Sequence, residues 1–363
     1  MALDARRNEV YQTALRGVIG PDTVVLDLGA GTGVLGLIAA RLGARRVYLV
    51  EPEDIIGVAE EIARANGLQD RVRCLRGRIE DVEIPERVDV VVSVMTGNFL
   101  VTEDLLPALF KTRDRFLKPG GLLLPSAATM EVVPVSAPAV HAREIAAWST
   151  PQDGVDLSAA RAYAANTVFY KSEGVRDARF LADPATLVAI DLTTAVEDHV
   201  HGEVDLNVTR GGLCHGWLGW FRMKLGDRWL STSPRETPMH WSQAFLPLDP
   251  PLPLERGERA TLTVDRPSRG DWTWQVKTRA GVQRHSTLFA APMTPDTLRM
   301  ASRQFTPALS DDGRVVVDVL TRCDGATSVD ALAERLGLAY PNRYADQEEA
   351  VAFVQRAIRR LTR

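Results

Sequence analysis

One short stretch of the 363-residue chain combines residue types that could hold a nucleotide-like cofactor. Asp27 is followed by Gly29, Gly31 and Gly33, so glycine occupies every second position of the turn. Glycine lets a backbone turn sharply and approach a ligand without interference from a Cβ atom. Glu51 ends the next apolar run, where an acid is suited to a bidentate grip on ribose hydroxyls. The pattern predicts a cofactor that contains a ribose.

The spacing of the glycines indicates which cofactor this is. A dinucleotide fingerprint, G-x-G-x-x-G, would require glycine at position 34, which is occupied by Val34. The order Asp-x-Gly-x-Gly-x-Gly is instead similar to the motif of class I S-adenosylmethionine (SAM) methyltransferases. We therefore expect SAM as the cofactor, and the alternative is a tight turn without a ligand.

A strand, a helix and a second strand must position this turn. The run from Val24 to Leu26 is short and rich in β-branched residues, which indicates a buried strand. The segment from Val34 to Leu42 has helical spacing and stops at Gly43, a favourable residue just after a helix. The next apolar run, Val47 to Val50, then leads into Glu51. This order is typical of the first βαβ unit of an α/β domain.

Two charged residues are expected near the same cofactor. Residues 1–19 have the spacing of an amphipathic helix, on which Arg7 is either a solvated charge or the cation that meets the methionine carboxylate of SAM. Glu80 follows a third predicted strand, 71–75, at its carboxyl edge, where ligands bind in open α/β sheets. Its carboxylate could accept a hydrogen bond from the adenine amino group.

The composition excludes several classes of protein. With 45% hydrophobic and 25% charged residues the chain is typical of a globular protein, and its net charge of −4 argues against general attraction to nucleic acid or membranes. The three cysteines, Cys74, Cys214 and Cys323, lack metal-site spacing and fit a reducing compartment. No signal peptide or membrane-spanning run is evident. We expect a cytoplasmic protein without a metal site.

The pattern changes twice along the chain. After Pro125, alternating strand-like segments and turns replace the helical spacing, with one helix-like insertion at 157–167. From Met300 onward the spacing is again mainly helical. We predict three domains with boundaries at 1–125, 126–298 and 299–363, the second of them an antiparallel β-domain.

From Asp4 to about Gly281 the chain resembles the protein arginine methyltransferases. Five segments carry the resemblance, in this order: Asp4-x-x-Arg7-x-x-x-Tyr11, VLDLGAGTGVL with Glu51, GRIEDVEIP at 77–85, LKPGGLLLP at 117–125, and Ser231-Thr232-Ser233-Pro234 with His240-Trp241.

This resemblance implies a Rossmann-like SAM domain, an antiparallel β-barrel, a helical dimerisation arm at about 153–180 and a homodimer. It also implies that Ile79 and Glu80 belong to the adenine-contacting strand end. The family segment that closes over SAM would lie ahead of Met1.

One motif of the family is altered. The family's "double-E" loop begins Ser-Glu-x-Met-Gly and ends in a second Glu, whereas residues 93–103 here read SVMTGNFLVTE. Glu103 occupies the second glutamate position and Val94 the first, and Met239 replaces the Thr of the Thr-His-Trp loop. A pair of carboxylates clamps a guanidinium through charge-assisted hydrogen bonds that each contribute roughly 1.5–3 kcal/mol. We therefore expect an amine acceptor beside Val94, Met95 and Trp241 rather than arginine.

Three residues could act on this acceptor. Methyl transfer requires a nitrogen with a free lone pair, so a base must accept a proton. Glu103 is expected to anchor the nitrogen and accept the proton, although it could instead be an acid at a helix N-terminus with Thr102 as the cap. Asp4 and His240 match family positions that pair across the site. The alternative for His240 is a strand histidine beside Trp241.

The last segment carries a second resemblance. Residues 305–361 are similar to the PqqD-like, winged-helix recognition elements of ribosomal peptide pathways, with the helix SVDALAERL and a final amphipathic helix. Such a module would bind a leader peptide by strand addition. The alternative is a helical dimer cap without a ligand.

Three functions are thus open from sequence alone. The first is a SAM-dependent N-methyltransferase that modifies an amine of a ribosomally made peptide, possibly of the daptide type. The second is a protein or free-arginine methyltransferase with an incomplete double-E loop. The third is a SAM-binding regulator without turnover.

Overall fold

In the computed structural model, the glycine-rich turn follows the central strand of a five-stranded parallel sheet with the order β3-β2-β1-β4-β5. The structure describes residues 1–94, 96–171 and 173–359. The strands are β1 (Val24–Leu28), β2 (Arg46–Glu51), β3 (Val72–Arg76), β4 (Val88–Ser93) and β5 (Leu117–Leu124). All five residues of β1 are buried, which is expected of a strand covered on both faces.

Four helices accompany this sheet: α1 (Ala5–Arg16), α2 (Val34–Arg41), α3 (Ile56–Ala65) and α4 (Leu106–Phe116). The buried residues of α1 are Arg7, Tyr11 and Leu15, which share one face because they recur every four residues. Asp4 caps α1 by accepting a hydrogen bond from the Arg7 amide at 3.1 Å. The face of α1 that carries Arg7 is therefore buried rather than solvated.

Two antiparallel sheets follow Pro125. The first has the order β7-β13-β11-β6-β8, with β12 also paired to β11 and β9 to β6. Its strands are β6 (Ala127–Ser136), β7 (Phe169–Lys171), β8 (Arg179–Phe180), β9 (Ala185–Asp191), β11 (Gly212–Leu225), β12 (Arg228–Ser231) and β13 (Gln243–Leu254). The second sheet has the order β10-β14-β15-β16, formed by β10 (Val200–Asn207), β14 (Arg259–Arg266), β15 (Thr273–Thr278) and β16 (Gly281–Ser286).

The two antiparallel sheets approach each other at β9 and β10. A Cβ atom at Gly202 of β10 would meet the Leu187 carbonyl oxygen of β9 at 2.5 Å, so only glycine permits this approach. The predicted Rossmann-like sheet followed by antiparallel, barrel-like sheets is confirmed.

The insertion between β6 and β9 is more irregular than the helix expected at 157–167. It contains α5 (Pro138–Glu144), α6 (Arg161–Ala165) and two 3₁₀ turns, Ala146–Ser149 and Ser158–Ala160. Arg161 binds both carboxylate oxygens of Asp249 on β13, at 2.7 and 2.8 Å. This bidentate pair attaches α6 to the sheet.

The chain divides into two compact units, Met1–Pro292 and Met293–Arg363. The second contains α7 (Pro295–Ala301), α8 (Asp311–Leu320), α9 (Val329–Ala339) and α10 (Gln347–Ile358). Ser328 caps α9 by accepting from the Ala331 amide. Residues of α8, α9 and α10 form its core: Val315, Val319, Leu332, Ala333, Leu336, Ala350 and Val354.

The winged-helix expectation for this unit is not confirmed. Its described residues, 293–359, contain helices and no strand, and the predicted helix residue Leu361 lies outside the described residues. Strand addition of a leader peptide requires a sheet edge. Residues 293–359 provide no such edge.

Within the described chain, no helix is both long and apolar enough to cross a membrane.

Candidate active site

The glycine-rich turn borders a cleft of about 210 Å³ at the carboxyl end of β1. Its lining includes Arg7, Asp27, Gly29, Gly31 and Val94. Gly29 and Gly31 have φ of 68° and 55°, in the left-handed region that glycine adopts without strain. At these two positions the turn presents its backbone, without a Cβ atom, to whatever occupies the cleft.

Gly33 serves packing rather than the cleft. It is the N-cap of α2, with φ of 78°. A Cβ atom here would meet the Leu49 side chain at 2.8 Å and the Ala59 side chain at 3.0 Å. Gly33 therefore allows α2 to lie close to β2 and α3.

Glu51 is held at the tip of β2 by backbone amides. Its Oε2 accepts a hydrogen bond from the Gly31 amide at 3.0 Å and its Oε1 accepts from the Glu53 amide at 3.1 Å. Each carboxylate oxygen has a further lone pair. The arrangement orients the carboxylate and leaves it able to accept from two hydroxyls of a ribose.

A buried cation and a buried acid flank the turn. Arg7 is 3% exposed, and among the described residues it has no carboxylate within ion-pair distance; its Nε and Nη2 donate to the Asn8 Oδ1. Burial lowers the pKa of Arg7. Asp27 is 2% exposed, accepts from the Gly36 amide at 2.7 Å, and has its pKa raised to about 7 by burial. A buried guanidinium without a carboxylate is suited to a ligand carboxylate.

The two residues expected to contact the adenine ring of the cofactor lie apart from the cleft. Ile79 is buried, whereas Glu80 is exposed and pairs with the Lys111 Nζ at 2.9 Å. Neither residue lines the cleft. The hydrogen bond from Lys111 is the main cause that lowers the pKa of Glu80. The carboxylate that the sequence assigned to the adenine amino group is thus engaged elsewhere.

The loop after β4 is fastened to the antiparallel sheets. The Trp241 indole Nε1 donates to the Thr96 carbonyl oxygen at 3.0 Å, and the Ser242 amide donates to the Asn98 Oδ1 at 2.7 Å. Phe99 is fully buried, and its ring stacks on the Trp272 ring with centroids 5.3 Å apart. This loop follows β4 of the parallel sheet, but its shape depends on the barrel side.

Glu103 lies at the end of this loop and is exposed. Helix α4 begins at Leu106, has Leu105 as its N-cap and carries no acid in its first turn. Glu103 therefore does not act as a helix N-terminal acid capped by Thr102. Val94, at the other end of the loop, lines the cofactor cleft, and Met95 lies outside the described residues.

Asp4 and His240 form a pair that joins α1 to the segment before β13. The His240 Nδ1 lies 2.8 Å from the Asp4 Oδ2, which also accepts from the His240 backbone amide at 3.1 Å. Their side chains are 8% and 18% exposed. His240 therefore precedes the strand, which begins at Gln243, and is not a strand residue.

The electrostatics of this pair favour a neutral imidazole and an ionised carboxylate. Burial would raise the pKa of Asp4, but hydrogen bonds from His240 and from the Arg7 amide outweigh it and lower that pKa. Burial lowers the pKa of His240, and the hydrogen bond that His240 donates to Asp4 acts in the opposite direction. We assign the proton to Nδ1, facing Asp4. The His240 Nε2 is buried and has no hydrogen-bond partner among the described residues.

The structure brings part of the expected set of residues together. Arg7, Asp27, Gly29, Gly31 and Val94 share the cleft. Asp4 and Arg7 lie one helical turn apart, which places the Asp4–His240 pair beside the cleft. The other expected residues that the structure describes do not line the cleft: Gly33, Glu51, Ile79, Glu80, Glu103 and Trp241. No group of three or more His, Cys, Asp or Glu residues in the described chain could hold a metal ion.

Several residues shape the site through contacts that were not predicted, although Tyr11 belongs to the Asp4-x-x-Arg7-x-x-x-Tyr11 motif. The Tyr11 hydroxyl donates to the Ser93 carbonyl oxygen at 2.7 Å and so fixes α1 against the end of β4. Asn98 and Trp272 hold the loop, as described above. The spacing of Tyr11 from Arg7 on one helix face is a signal that could have indicated its burial. The partners of Asn98 and Trp272 are distant in sequence, and no local pattern marks them.

Comparisons with known proteins agree with this architecture. Residues 25–121 match a family model for a methyltransferase domain, and residues 126–276 match one for the arginine methyltransferase oligomerization subdomain. Protein arginine N-methyltransferase 6 of Xenopus laevis is 35% identical over 243 residues, which are 64% of this chain and 71% of that protein. Its counterpart in Xenopus tropicalis is 33% identical over 275 residues, 72% of this chain and 80% of that one. The chain belongs to the protein arginine methyltransferase family.

Solved structures agree with the sequence relatives. The Trypanosoma brucei PRMT1 enzyme–prozyme heterotetramer with AdoHcy superimposes with a TM-score of 0.69 at 26% identity, covering 78% of this chain and 95% of that one. As a member of this family the protein is a SAM-dependent methyltransferase.

The comparisons also correct the first functional hypothesis. The relatives are named protein arginine N-methyltransferases, so methylation of an amine on a ribosomally made peptide is contradicted. The hypothesis gave the loss of one glutamate more weight than the rest of the acceptor site.

Proposed function

We propose that this protein transfers a methyl group from SAM to a guanidinium nitrogen of arginine in a protein or peptide. The observation that carries the proposal is the buried Asp4–His240 pair, which lies beside the cofactor cleft and joins α1 to the segment before β13. The names of the relatives support arginine as the acceptor.

The cofactor is held by backbone and charge. Arg7 is suited to the methionine carboxylate of SAM, and Glu51 to the ribose hydroxyls. Gly29 and Gly31 allow close approach to the backbone of the turn. When bound, SAM supplies an electrophilic methyl group on a sulfonium sulfur. Thus Arg7 lines the cleft with a cation, and Glu51, which does not itself line the cleft, accepts a hydrogen bond from the Gly31 amide of the turn.

Glu103 anchors the acceptor. A carboxylate and a guanidinium form paired, charge-assisted hydrogen bonds, each contributing roughly 1.5–3 kcal/mol. Because Val94 replaces the other carboxylate, the guanidinium is held from one side only. We infer an arginine substrate that is bound weakly at this point, with the rest of its affinity from residues around the arginine.

We assign to His240 the proton that the acceptor nitrogen loses. Its Nδ1–H donates to Asp4, which fixes the ring, and its Nε2 carries the free lone pair. Because its pKa lies below the ordinary value, the imidazole is neutral at pH 7 and able to accept a proton. Asp4 then stabilises the imidazolium that forms.

We also propose that the protein is a homodimer. The insertion between β6 and β9 exposes three large apolar side chains, Trp148, Val155 and Tyr163. Helix α3 and the residue before it expose Ile55 and Val58. Exposed apolar groups of this size mark interaction surfaces. The match to an oligomerization subdomain supports this assignment.

The deciding experiment is methylation of arginine peptides. The protein is incubated with SAM and a peptide library, and products are identified by tandem mass spectrometry, with each arginine replaced by lysine in a matched set. Methyl groups on arginine nitrogen are expected, and they disappear in the lysine set. Products on free arginine alone would remove the protein substrate from the proposal, and absence of any product with SAM bound would favour a SAM-binding regulator.

The variant Glu103→Gln tests the anchor. It removes the negative charge but keeps the shape, so kcat/KM for the peptide should fall about tenfold or more, while the Kd for SAM stays unchanged. Glu60→Gln, on the exposed face of α3, is the matched control. Wild-type kcat/KM in Glu103→Gln would take the anchoring role away from this residue.

A further inference from the structure

A buried guanidinium lies under the end of the loop that carries Glu103. Arg266, on β14, has a side chain that is 5% exposed. Its Nη2 donates to the Asp104 Oδ1 at 2.8 Å. Its Nε and Nη1 are also buried and have no hydrogen-bond partner among the described residues. The charge of Arg266 is thus directed at one acceptor, the carboxylate next to Glu103.

Asp104 is held in a backbone conformation that favours glycine. Its φ is 53°, in the left-handed region. Such a conformation persists in a non-glycine residue when its surroundings determine it. The Asp104 Oδ1 accepts from the Arg266 guanidinium and from the Arg269 amide at 3.2 Å. These contacts, one from the end of β14 and one from the β14–β15 connection, are therefore placed to determine the turn immediately after Glu103.

The same guanidinium reaches the middle of the loop through an aromatic ring. The Arg266 Cζ lies 5.4 Å from the centroid of the Trp272 ring, which stacks on Phe99. Phe99 also has a positive φ, 50°, and fills the space beside Gly219, where an added Cβ would meet its ring at 2.5 Å. Arg266 therefore contacts Asp104 directly and Phe99 through Trp272.

We propose that Arg266 is a positioning residue for the loop after β4 that carries Glu103. It fixes the turn at Asp104 and thereby sets the direction in which Glu103 meets the substrate. A buried ion pair is weak as a source of stability, because desolvation of both charges offsets their attraction. A guanidinium–carboxylate contact is, however, strongly directional. This pair therefore determines the geometry of the loop more than the stability of the fold. The inference rests on the proposed function for the role of Glu103.

The first test measures the loop itself and needs no substrate. Hydrogen–deuterium exchange is compared in the wild type, Arg266→Met and Asp104→Asn. The amides of Gly97, Val101 and Asp104 bond within the loop, so their exchange should accelerate about tenfold or more in both variants. Exchange in β1 should stay unchanged. If Arg266→Met does not fold, Asp104→Asn carries the test, because its side chain is half-buried.

The second test measures turnover. Loss of the positioning contact should lower kcat for an arginine peptide about tenfold to a hundredfold, while the Kd for SAM stays within twofold. The double variant Arg266→Met/Asp104→Asn should be no slower than the slower single variant, since each substitution removes one charge of the same ion pair. Arg259→Met is the control, as Arg259 lies on the same strand but pairs with Asp205 in an exposed position.

The outcomes separate the two proposals. Loop exchange equal to the wild type, or additive losses in the double variant, would overturn the role of Arg266. Altered loop exchange in a protein whose wild type methylates no arginine peptide would support Arg266 as a loop-positioning residue and overturn the proposed function instead.

Discussion

Asp4 and His240 are 236 positions apart in the chain, yet the Asp4 Oδ2 and the His240 Nδ1 are 2.8 Å apart. Asp4 caps the first helix of the SAM-binding half and His240 precedes a strand of the barrel half. A single carboxylate thus caps a helix and orients the imidazole that we propose as the base.

The pH dependence of turnover should report this pair. Burial lowers the pKa of His240 below its ordinary 6.5, so kcat/KM should hold through neutral pH and fall only on the acid side of 6.5, as the imidazole is protonated. Asp4 raises that pKa, so Asp4→Asn should move the acid limb to lower pH and reduce the maximal rate about a hundredfold. A pH–rate profile from pH 4.5 to 9 measures both effects. An acid limb that does not move in Asp4→Asn would contradict the assignment.

The same shift has a consequence for stability. Because the folded pKa of His240 is lowered, the unfolded chain binds more protons just below pH 6.5, and this residue makes the folded state less stable there. Replacing it by Gln should flatten the dependence of the melting temperature on pH in that window, at the cost of about a hundredfold in kcat. Thermal melts of the two proteins between pH 5 and 7.5 test this.

Restoring the missing carboxylate should strengthen arginine binding. Val94→Glu provides a second partner for the guanidinium, worth roughly 1.5–3 kcal/mol, so KM for an arginine peptide should fall about tenfold or more. Val94→Gln, which adds the shape without the charge, is the control. Because position 94 lines the cofactor cleft, the Kd for SAM is measured for each variant. An equal fall in KM for both variants would assign the effect to shape.

Removing the buried cation should weaken SAM binding. Arg7→Met leaves the methionine carboxylate of the cofactor without its partner, and the Kd for SAM should rise about tenfold or more. Arg6→Met is the neighbouring control, since Arg6 pairs with Glu236 instead. Calorimetric titration with SAM distinguishes them. Equal losses in both variants would mean that helix α1, and not the Arg7 charge, determines the affinity.

The insertion between β6 and β9 should control assembly. Trp148→Arg with Tyr163→Arg places charge on the exposed apolar surface of the insertion, and light scattering after gel filtration should change from a dimer to a monomer of 39.8 kDa. Trp229→Arg changes an aromatic residue of similar exposure on β12 and should leave the dimer intact. A wild-type monomer would remove the dimer from the proposal.

The SAM-binding half could be predicted well because its signals are local. The glycines, the short β-branched run and Glu51 lie within 28 consecutive residues, from Val24 to Glu51, and this unit alone determines the turn. The barrel half was predicted as strands without partners, and β7, β8 and β16 were not predicted. Strand order and register depend on side chains that are far apart in sequence, such as Gly202 against Leu187.

The acceptor end was misjudged for a related reason. Val94 differs from the family's glutamate within one motif and is easily noticed. The contacts that hold the loop come from Trp241, Ser242, Arg266 and Trp272, which lie more than 130 positions away. A local comparison therefore shows what the loop has lost, whereas only the folded chain shows what holds it in place.

The stacking of Phe99 on Trp272 has a consequence for how such enzymes can be recombined. The loop that receives the substrate is encoded in the first half of the gene. Arg266 and Trp272, which contact the loop, are encoded in the second half. A chimera that exchanges halves between two relatives would combine the loop sequence of one protein with the loop-contacting residues of the other. We expect a junction at Pro125 to yield active hybrids only when Phe99, Asp104, Arg266 and Trp272 are all taken from the same parent protein.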